Sequence, residues 1–166
     1  MYQSRLRANL LGMLCLVLWL GVLPGRALAS QKSPLQLVHR KENHVLCSFP
    51  IRPGEEFILS YRHSSDHTPV VDRFQVTSKG RIVLLEERFA WYGAGLAFHP
   101  QEDIDISQPW TRIRLHRPMD PFYLRVGRVA GHQLHIRDQT IFLLDIAPGG
   151  SCLWIRVRAK GDPNHE

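Results

Sequence analysis

A sustained helical pattern is missing from this sequence of 166 residues. It contains no heptad pattern, no internal repeat and no low-complexity tract, which argues against coiled coils, solenoids and long disordered linkers. Three common signatures of catalysis or metal binding are also missing, namely Cys-x-x-Cys, His-Glu-x-x-His and Gly-x-Ser-x-Gly. The whole sequence is 44% hydrophobic and 22% charged, which suits one globular domain with a hydrophobic core.

Long hydrophobic runs are scarce, and the longest one lies near the N-terminus. The run Leu10–Leu23 is short for a membrane span of about 20 residues. Basic residues precede it, a Pro-Gly pair ends it, and residues 27–29 (Ala-Leu-Ala) form a cleavage-type sequence. This pattern predicts a signal peptide over residues 1–29 and a single β domain over residues 30–166. The alternative is an uncleaved N-terminal anchor in the inner membrane, because Arg26 lies within the cleavage region.

A strong charge excess is also missing from the predicted domain. The first 29 residues hold three arginines and no acid, so 18 basic residues remain against 15 acidic ones. The remaining excess is small and spread along the chain. We therefore expect no nucleic-acid partner, and we expect membrane contact only through an uncleaved N-terminal segment.

Cysteine is rare. Cys15 lies in the N-terminal apolar run, which leaves Cys47 and Cys152 in the domain. An exported protein with an even pair of cysteines favours a disulfide, and this one would close a loop of about 100 residues and stabilise by about 4 kcal/mol. The alternative is two small core residues that lie too far apart to bond.

Short apolar segments recur along the domain, with Gly, Pro, Asn or Asp residues between most of them. Such spacing predicts an all-β fold, either a single antiparallel β-sandwich or a barrel-like domain. The segment Val70–Phe89 is the clearest hairpin, and its alternation makes Asp72 the one acid on an otherwise apolar face. Residues 90–100 are irregular and residues 101–108 are expected to be a loop. The predicted strands are 35–38, 45–49, 56–62, 70–77, 81–89, 110–116, 122–126, 132–136, 140–144 and 152–157.

The polar segment 64–68, between the predicted strands 56–62 and 70–77, and its neighbours concentrate titratable side chains. Metal binding by His63, His67, Asp66 and Asp72 is one interpretation, because imidazole and carboxylate are common metal ligands. Catalysis by His63, Ser64 and Asp72 is a second, although neighbours on a strand point to opposite faces. A structural pair, in which His63 donates to Asp72, is the third, because a buried acid needs a partner. The alternation favours this structural or ligand-orienting pair, so we predict no catalytic residue and no metal ligand.

A glycine-rich loop follows the hairpin. Gly93 and Gly95 let backbone N–H groups approach an anion or another chain, and Trp91 and Tyr92 beside them offer contact area. The alternative is a tight turn flanked by two core aromatic residues.

Three segments in order resemble a small family of bacterial exported proteins, the domain of unknown function DUF1850, over about residues 44–158. The chain departs from the family pattern at Asp72, where Glu is more usual, and at Leu96-Ala97, where Pro often follows. The segments that carry the resemblance are Tyr61-x-His63-Ser64, Thr68-Pro69-Val70-x-Asp72-x-Phe74 and Phe89-x-x-Tyr92-Gly93-Ala94-Gly95-Leu96.

The resemblance implies an association with tripartite ATP-independent periplasmic (TRAP) transporters of the subclass whose receptors are called TAXI. We therefore expect an exported, periplasmic, non-enzymatic accessory or binding protein, without a cofactor, whose partners are TRAP receptor or membrane subunits. The alternative is a periplasmic metal-dependent or hydrolytic enzyme that uses His63, His67 and Asp72. The residues expected to bind a ligand or partner are Tyr61, His63, Ser64, Thr68, Asp72, Tyr92, Gly93 and Gly95.

Overall fold

A computed structural model describes residues 33–65, 67–90, 103–106 and 109–158. Within these ranges the chain forms eleven strands and one four-residue helix, which confirms the all-β prediction. In chain order the elements are β1 Ser33–His39, β2 His44–Ile51, β3 Glu56–Arg62, β4 Pro69–Val76, β5 Ile82–Phe89, β6 Asp103–Asp105, β7 Thr111–Pro118, β8 Phe122–Arg125, β9 Gln133–Ile136, β10 Gln139–Phe142, α1 Leu143–Ile146 and β11 Cys152–Val157.

Two antiparallel sheets form a sandwich. The small sheet has the order β2-β1-β11-β8, and the large sheet has the order β10-β9-β3-β4-β5-β7-β6. The main core takes side chains from both sheets, because every second residue of a strand points to the same face. Leu37 and Ile155 of the small sheet and Phe57 and Phe74 of the large sheet are almost completely buried in it.

The predicted hairpin between Val70 and Phe89 is confirmed as β4–β5. Its turn is closed by the amide of Gly80, which donates to the carbonyl of Thr77, and Gly80 takes a φ of +71° that favours glycine. The pairing is not regular, because Arg73 lies opposite Glu86 whereas Phe74 lies opposite Leu84. Leu85 is therefore an extra residue in β5, a β-bulge that changes which side chains face the core.

Two local predictions are wrong. Residues 103–105 were expected in a loop but form β6, because Ile104 pairs with Ile113 of β7 and Asp103 bonds to Arg114 at 2.8 Å. Leu143 was expected in a strand but begins α1, because it is buried together with Ala147, whose amide donates to the Leu143 carbonyl. One turn is too short to give a helical period in the sequence. In the described part of the chain, no helix has the length and apolar character needed to cross a bilayer.

The predicted Cys47–Cys152 disulfide is also wrong, because both residues are free thiols. Cys47 lies on β2 opposite Leu37, whereas the carbonyl of Cys152 on β11 accepts from the amide of Arg40. The central strand β1 thus separates the two cysteines, which are also offset by three residues along it. Two strand spacings alone amount to about 9.5 Å, beyond the Cα separation of about 7 Å that a disulfide can bridge.

Candidate functional site

The polar segment after β3 folds as an exposed turn. The amide of His63 donates to the carbonyl of Thr68 at 2.8 Å, and the amide of His67 donates to the carbonyl of His63 at 3.1 Å. The Nδ1 atom of His63 lies 2.9 Å from the hydroxyl of Ser65. Ser64 and His67 are exposed, and Asp66 lies outside the described residues. His63 therefore makes contacts within this turn.

Asp72 faces the core, as predicted from its position on the same face of the strand as Val70, Phe74 and Val76. The expected His63–Asp72 pair is corrected here, because the phenol of Tyr61 donates to this carboxyl. The ring of Tyr61 in turn lies 5.3 Å, centroid to centroid, from the ring of His132. Burial lowers the pKa of His132, and its Nδ1 accepts from the amide of Gly127 at 3.2 Å. The neutral imidazole thus belongs to the packing around Tyr61.

Glu87 is the residue of this cluster that the sequence alone does not place. It lies directly opposite Asp72 across the β4–β5 pair, and its carboxylate is 3.8 Å from Arg117. Regular alternation from Leu84 would turn Glu87 away from the core, but the bulge at Leu85 reverses this. The available signal is the odd spacing between Leu84 and Phe89, two core-type residues that belong on one face.

The acid pair, Asp72 and Glu87, lies in an apolar row across the large sheet, between Leu59 and Ile113. Burial, with the Glu87 charge as the second cause, raises the pKa of Asp72 to about 7. Burial, together with the two carboxylates, also raises the pKa of Tyr61. Within the described part of the chain, Oδ1 of Asp72 has no hydrogen-bond partner. The pair can hold a proton near neutral pH, a property common at functional sites.

The weak metal candidates His63, His67 and Asp72 are not brought together as a set of ligands. Among the described residues, one set of three metal-ligating side chains has its ligand atoms within 4.8 Å of one another, and it lies elsewhere, in the β1–β2 hairpin. The predicted residues Tyr92, Gly93 and Gly95 lie outside the described residues, so their convergence with Asp72 stays a prediction.

A stack of aromatic rings and guanidinium groups covers the outward face of the small sheet. Trp154 on β11 pairs in register with Tyr123 on β8, and their ring centroids are 6.2 Å apart. The guanidinium of Arg40 lies 4.4 Å from the centroid of the Tyr123 ring, and that of Arg156 lies 4.5 Å from the centroid of the Trp154 ring. We call these four residues the aromatic–arginine face. Sequence alternation alone did not identify it, because its members come from three separate segments.

Along the described strands of the small sheet, the outward positions carry charge of one sign. Nε of Arg156 donates to the side chain of Gln36 on β1 at 3.2 Å, which orients the guanidinium. Arg125 on β8 points to the same side, because it pairs with Cys152. Along the described strands of the small sheet the outward positions include no acid. They are Pro34, Gln36, Val38, Val45, Ser48, Pro50, Tyr123, Arg125, Cys152, Trp154 and Arg156.

A groove of about 130 Å³ adjoins this face. Trp154 and Arg156 form one of its walls, and the exposed residues Arg81 and Arg158 contribute two more guanidinium groups. Asp120 lines it as well. The groove therefore offers a recess beside the stacked rings, with more positive than negative groups around it.

A serine–histidine contact lies on the outward side of the large sheet. The hydroxyl of Ser60 is 2.8 Å from Nε2 of His135, and Nδ1 of the same ring is 3.0 Å from the hydroxyl of Thr140. With the proton on Nδ1, His135 donates to Thr140 and accepts from Ser60. This is the order nucleophile, base and orienting group. The sheet register places Ser60 diagonal to His135, a proximity that the sequence does not reveal.

A larger cavity, of about 410 Å³, lies further along the same outward side. Arg88 and Arg112 line it from directly opposite positions, and Trp110 and Asp105 complete much of its wall. Glu86, which is buried, lies 3.1 Å from Arg88 and 3.7 Å from Arg112. These acids offset the two arginines, so the cavity lacks the one-sided charge of the aromatic–arginine face.

The fold and these surfaces define a two-sheet antiparallel domain. Comparison with protein families identifies the domain of unknown function DUF1850 over residues 57–143. This match covers just over half of the sequence, and the chain belongs to that family. The matched range is narrower than the expected 44–158. It leaves out the β1–β2 hairpin and β11, which together hold three of the four residues of the aromatic–arginine face. Searches of curated proteins and of solved structures found no match.

Proposed function

We propose that the protein is an exported, non-enzymatic accessory protein that binds an acidic surface of a partner protein through its aromatic–arginine face. The observation that carries this proposal is the stack in which Arg40 covers Tyr123 and Arg156 covers Trp154. Trp, Tyr and Arg are the residue types most enriched at the energetic centres of protein interfaces. An acidic partner is favoured because the outward positions of the small sheet carry arginines and no acid.

The stack is also preorganised for binding. Each guanidinium lies over a ring, and Gln36 fixes the orientation of Arg156 before any partner arrives. Ordering a long side chain on binding costs about 0.5–1.5 kcal/mol, and a side chain that is already ordered avoids much of that cost. The underlying sheet adds rigidity, because Leu153 and Ile155 of the same strand are buried in the core.

The proposed location and partner come from the sequence. The N-terminal pattern over residues 1–29 supports export to the periplasm by a cleaved signal peptide, with an uncleaved inner-membrane anchor as the alternative. The family resemblance supports TRAP receptor or membrane subunits as partners. The export and the TRAP partner are both proposals, and a crosslinking experiment in cells addresses them together.

Photo-crosslinking in cells tests this function. A photoreactive phenylalanine analogue replaces Tyr123 in the full chain. In a matched control it replaces Trp110, which is also a partly exposed aromatic residue but lies in the bend just before β7 of the large sheet. We expect a crosslinked product with a TRAP receptor or membrane subunit from position 123, absent from position 110 and lost when Arg156→Glu is added. No product from position 123, or a product that persists with Arg156→Glu, would contradict the proposal.

Hydrolysis is the second candidate function, favoured by the contact of Ser60 with His135. The enzyme alternative thereby moves from His63, His67 and Asp72 to Ser60, His135 and Thr140. A fluorophosphonate probe tests it, because an activated serine forms a covalent adduct with such a probe. Labelling that is lost in Ser60→Ala and His135→Ala, but retained in the control Ser65→Ala, would support a hydrolase. Absence of labelling would leave the accessory function as the better account.

A further inference from the structure

We propose that the β1–β2 hairpin binds one divalent transition-metal ion through His39, Glu42 and His44. The three side chains offer two imidazole nitrogens and a carboxylate oxygen, and these ligand atoms lie within 4.8 Å of one another. Two histidines and one carboxylate form a donor set that suits Zn²⁺ and related ions such as Co²⁺ and Ni²⁺.

The local fold explains why these residues meet. His39 and His44 are the last paired residues before the turn, lying directly opposite each other, and their rings stack with centroids 5.8 Å apart. Glu42 lies in the turn between them. Asn43 takes a φ of +50°, in the left-handed region that asparagine tolerates better than most residues, and this lets the turn close on the histidine pair.

The separations between ligand atoms fit a common ion. Oε2 of Glu42 lies 3.1 Å from Nδ1 of His44 and 3.5 Å from Nδ1 of His39. Ligands that hold Zn²⁺ at about 2.0–2.2 Å in a tetrahedron are separated from one another by about 3.3–3.6 Å. One small movement of exposed side chains would therefore complete three positions, with the fourth open to water.

A second observation points to a ligand at this place. Nδ1 of His39 is buried, and within the described residues it has no hydrogen-bond partner; its contact with Glu42 is 3.5 Å long. A buried polar atom without a partner costs about 1–3 kcal/mol. A metal ion would use this lone pair, whereas His44 and Glu42 are more than half exposed and leave a path for entry.

Such an ion would fix a neighbouring part of the surface. Arg40 follows His39 directly and carries the guanidinium that covers Tyr123. A metal ion would hold together His39 and His44, which flank the turn that contains Arg40. Metal binding would therefore restrict the position of Arg40 and be coupled to the aromatic–arginine face. The metal site itself rests on the geometry of the hairpin and does not depend on the proposed function.

Titration calorimetry with Zn²⁺, joined to absorption spectroscopy with Co²⁺, tests the site on untagged protein purified after expression of the full chain. We expect one equivalent of Zn²⁺ to bind, and Co²⁺ to give the visible absorption of a tetrahedral site. His44→Ala should weaken Zn²⁺ binding by more than about tenfold, since changes outside the ligand shell already cost about 10–100-fold.

The matched control is His116→Ala, which removes an exposed histidine from β7 and should bind Zn²⁺ like the unmodified protein. Because His44 is exposed, its removal should leave the circular dichroism spectrum and the thermal midpoint without metal unchanged. Two results would overturn the proposal: no Zn²⁺ binding by the unmodified protein, or equal binding by His44→Ala. In the first case the three residues would contact one another without holding a metal ion.

Discussion

Asp72 lies directly opposite Glu87 on the core side of the β4–β5 hairpin. Two acids at a directly opposed position repel each other, and this pair is also flanked by apolar neighbours in the same row of the sheet. The arrangement is sustained by the phenol of Tyr61 on one carboxyl and the guanidinium of Arg117 near the other. Burial disfavours the charged carboxylate and the Glu87 charge adds repulsion, so the pKa of Asp72 rises to about 7.

The acid pair makes stability depend on pH, and Asp72→Asn would remove this dependence. The pKa of this carboxyl is about 3.9 in an unfolded chain but about 7 in the folded protein, so between these values the folded state binds more protons. Its contribution is therefore fully present below about pH 4 and is lost as the pH rises towards 7. We expect Asp72→Asn to raise the free energy of unfolding at pH 8 relative to the unmodified protein, by up to about 4 kcal/mol.

Urea unfolding at pH 5 and pH 8 measures this effect. The gain in Asp72→Asn should be much smaller at pH 5, where Asp72 is already protonated in the folded state. Asp138→Asn, which changes an exposed carboxyl in a turn, is the matched control and should leave the difference between the two pH values unchanged. A destabilised Asp72→Asn at pH 8 would contradict this account of the pair.

The aromatic core predicts a large loss on truncation. Phe74 is 2% exposed and packs between Phe57 and Phe122, with ring centroids 5.1 Å and 4.9 Å away. Phe74→Ala should lower the free energy of unfolding by about 3–5 kcal/mol. Phe142→Ala removes a ring that is 49% exposed and should cost far less. Equal losses in the two variants, measured by urea unfolding, would show that the two sheets do not share this core.

The two cysteines predict a simple chemical result. Mass spectrometry after alkylation in denaturant without reductant should find adducts on both Cys47 and Cys152, because β1 separates them. Burial raises the pKa of Cys47, so its thiol should react slowly while the protein is folded. A mass two hydrogens lower, with neither residue alkylated, would mean that the strand order around β1 is wrong.

Most of the fold is predictable from the sequence because strand formation is read from alternation and turn residues. The hairpin of β4 and β5 and the inward position of Asp72 follow from a period of two. The short strand β6 was not predictable, because its three residues are stabilised by pairing with β7 and two of them are acidic. Helix α1 was not predicted because a single turn is too short to give a helical period in the sequence.

Less of the candidate site was predictable, because its contacts are made across strands that are distant in sequence. The segment around Asp72 was found, but its partner Glu87 depends on a bulge at Leu85 that alternation does not show. Tyr123 and Trp154 meet through the β8–β11 register, and Ser60 meets His135 through the β3–β9 register. Such registers are set by the packed sandwich as a whole and not by any local pattern.

The affinity of the full chain for purified TRAP receptor and membrane subunits tests the central claim most directly. The account predicts measurable binding at low salt that weakens as salt rises, because the aromatic–arginine face supplies charge as well as rings. Arg156→Glu should reduce the affinity by more than about tenfold, the change expected for a central interface residue. The matched control Arg62→Glu, an exposed residue of β3, should bind like the unmodified protein. Equal affinities for Arg156→Glu and the unmodified protein, or no binding at any salt concentration, would contradict the account.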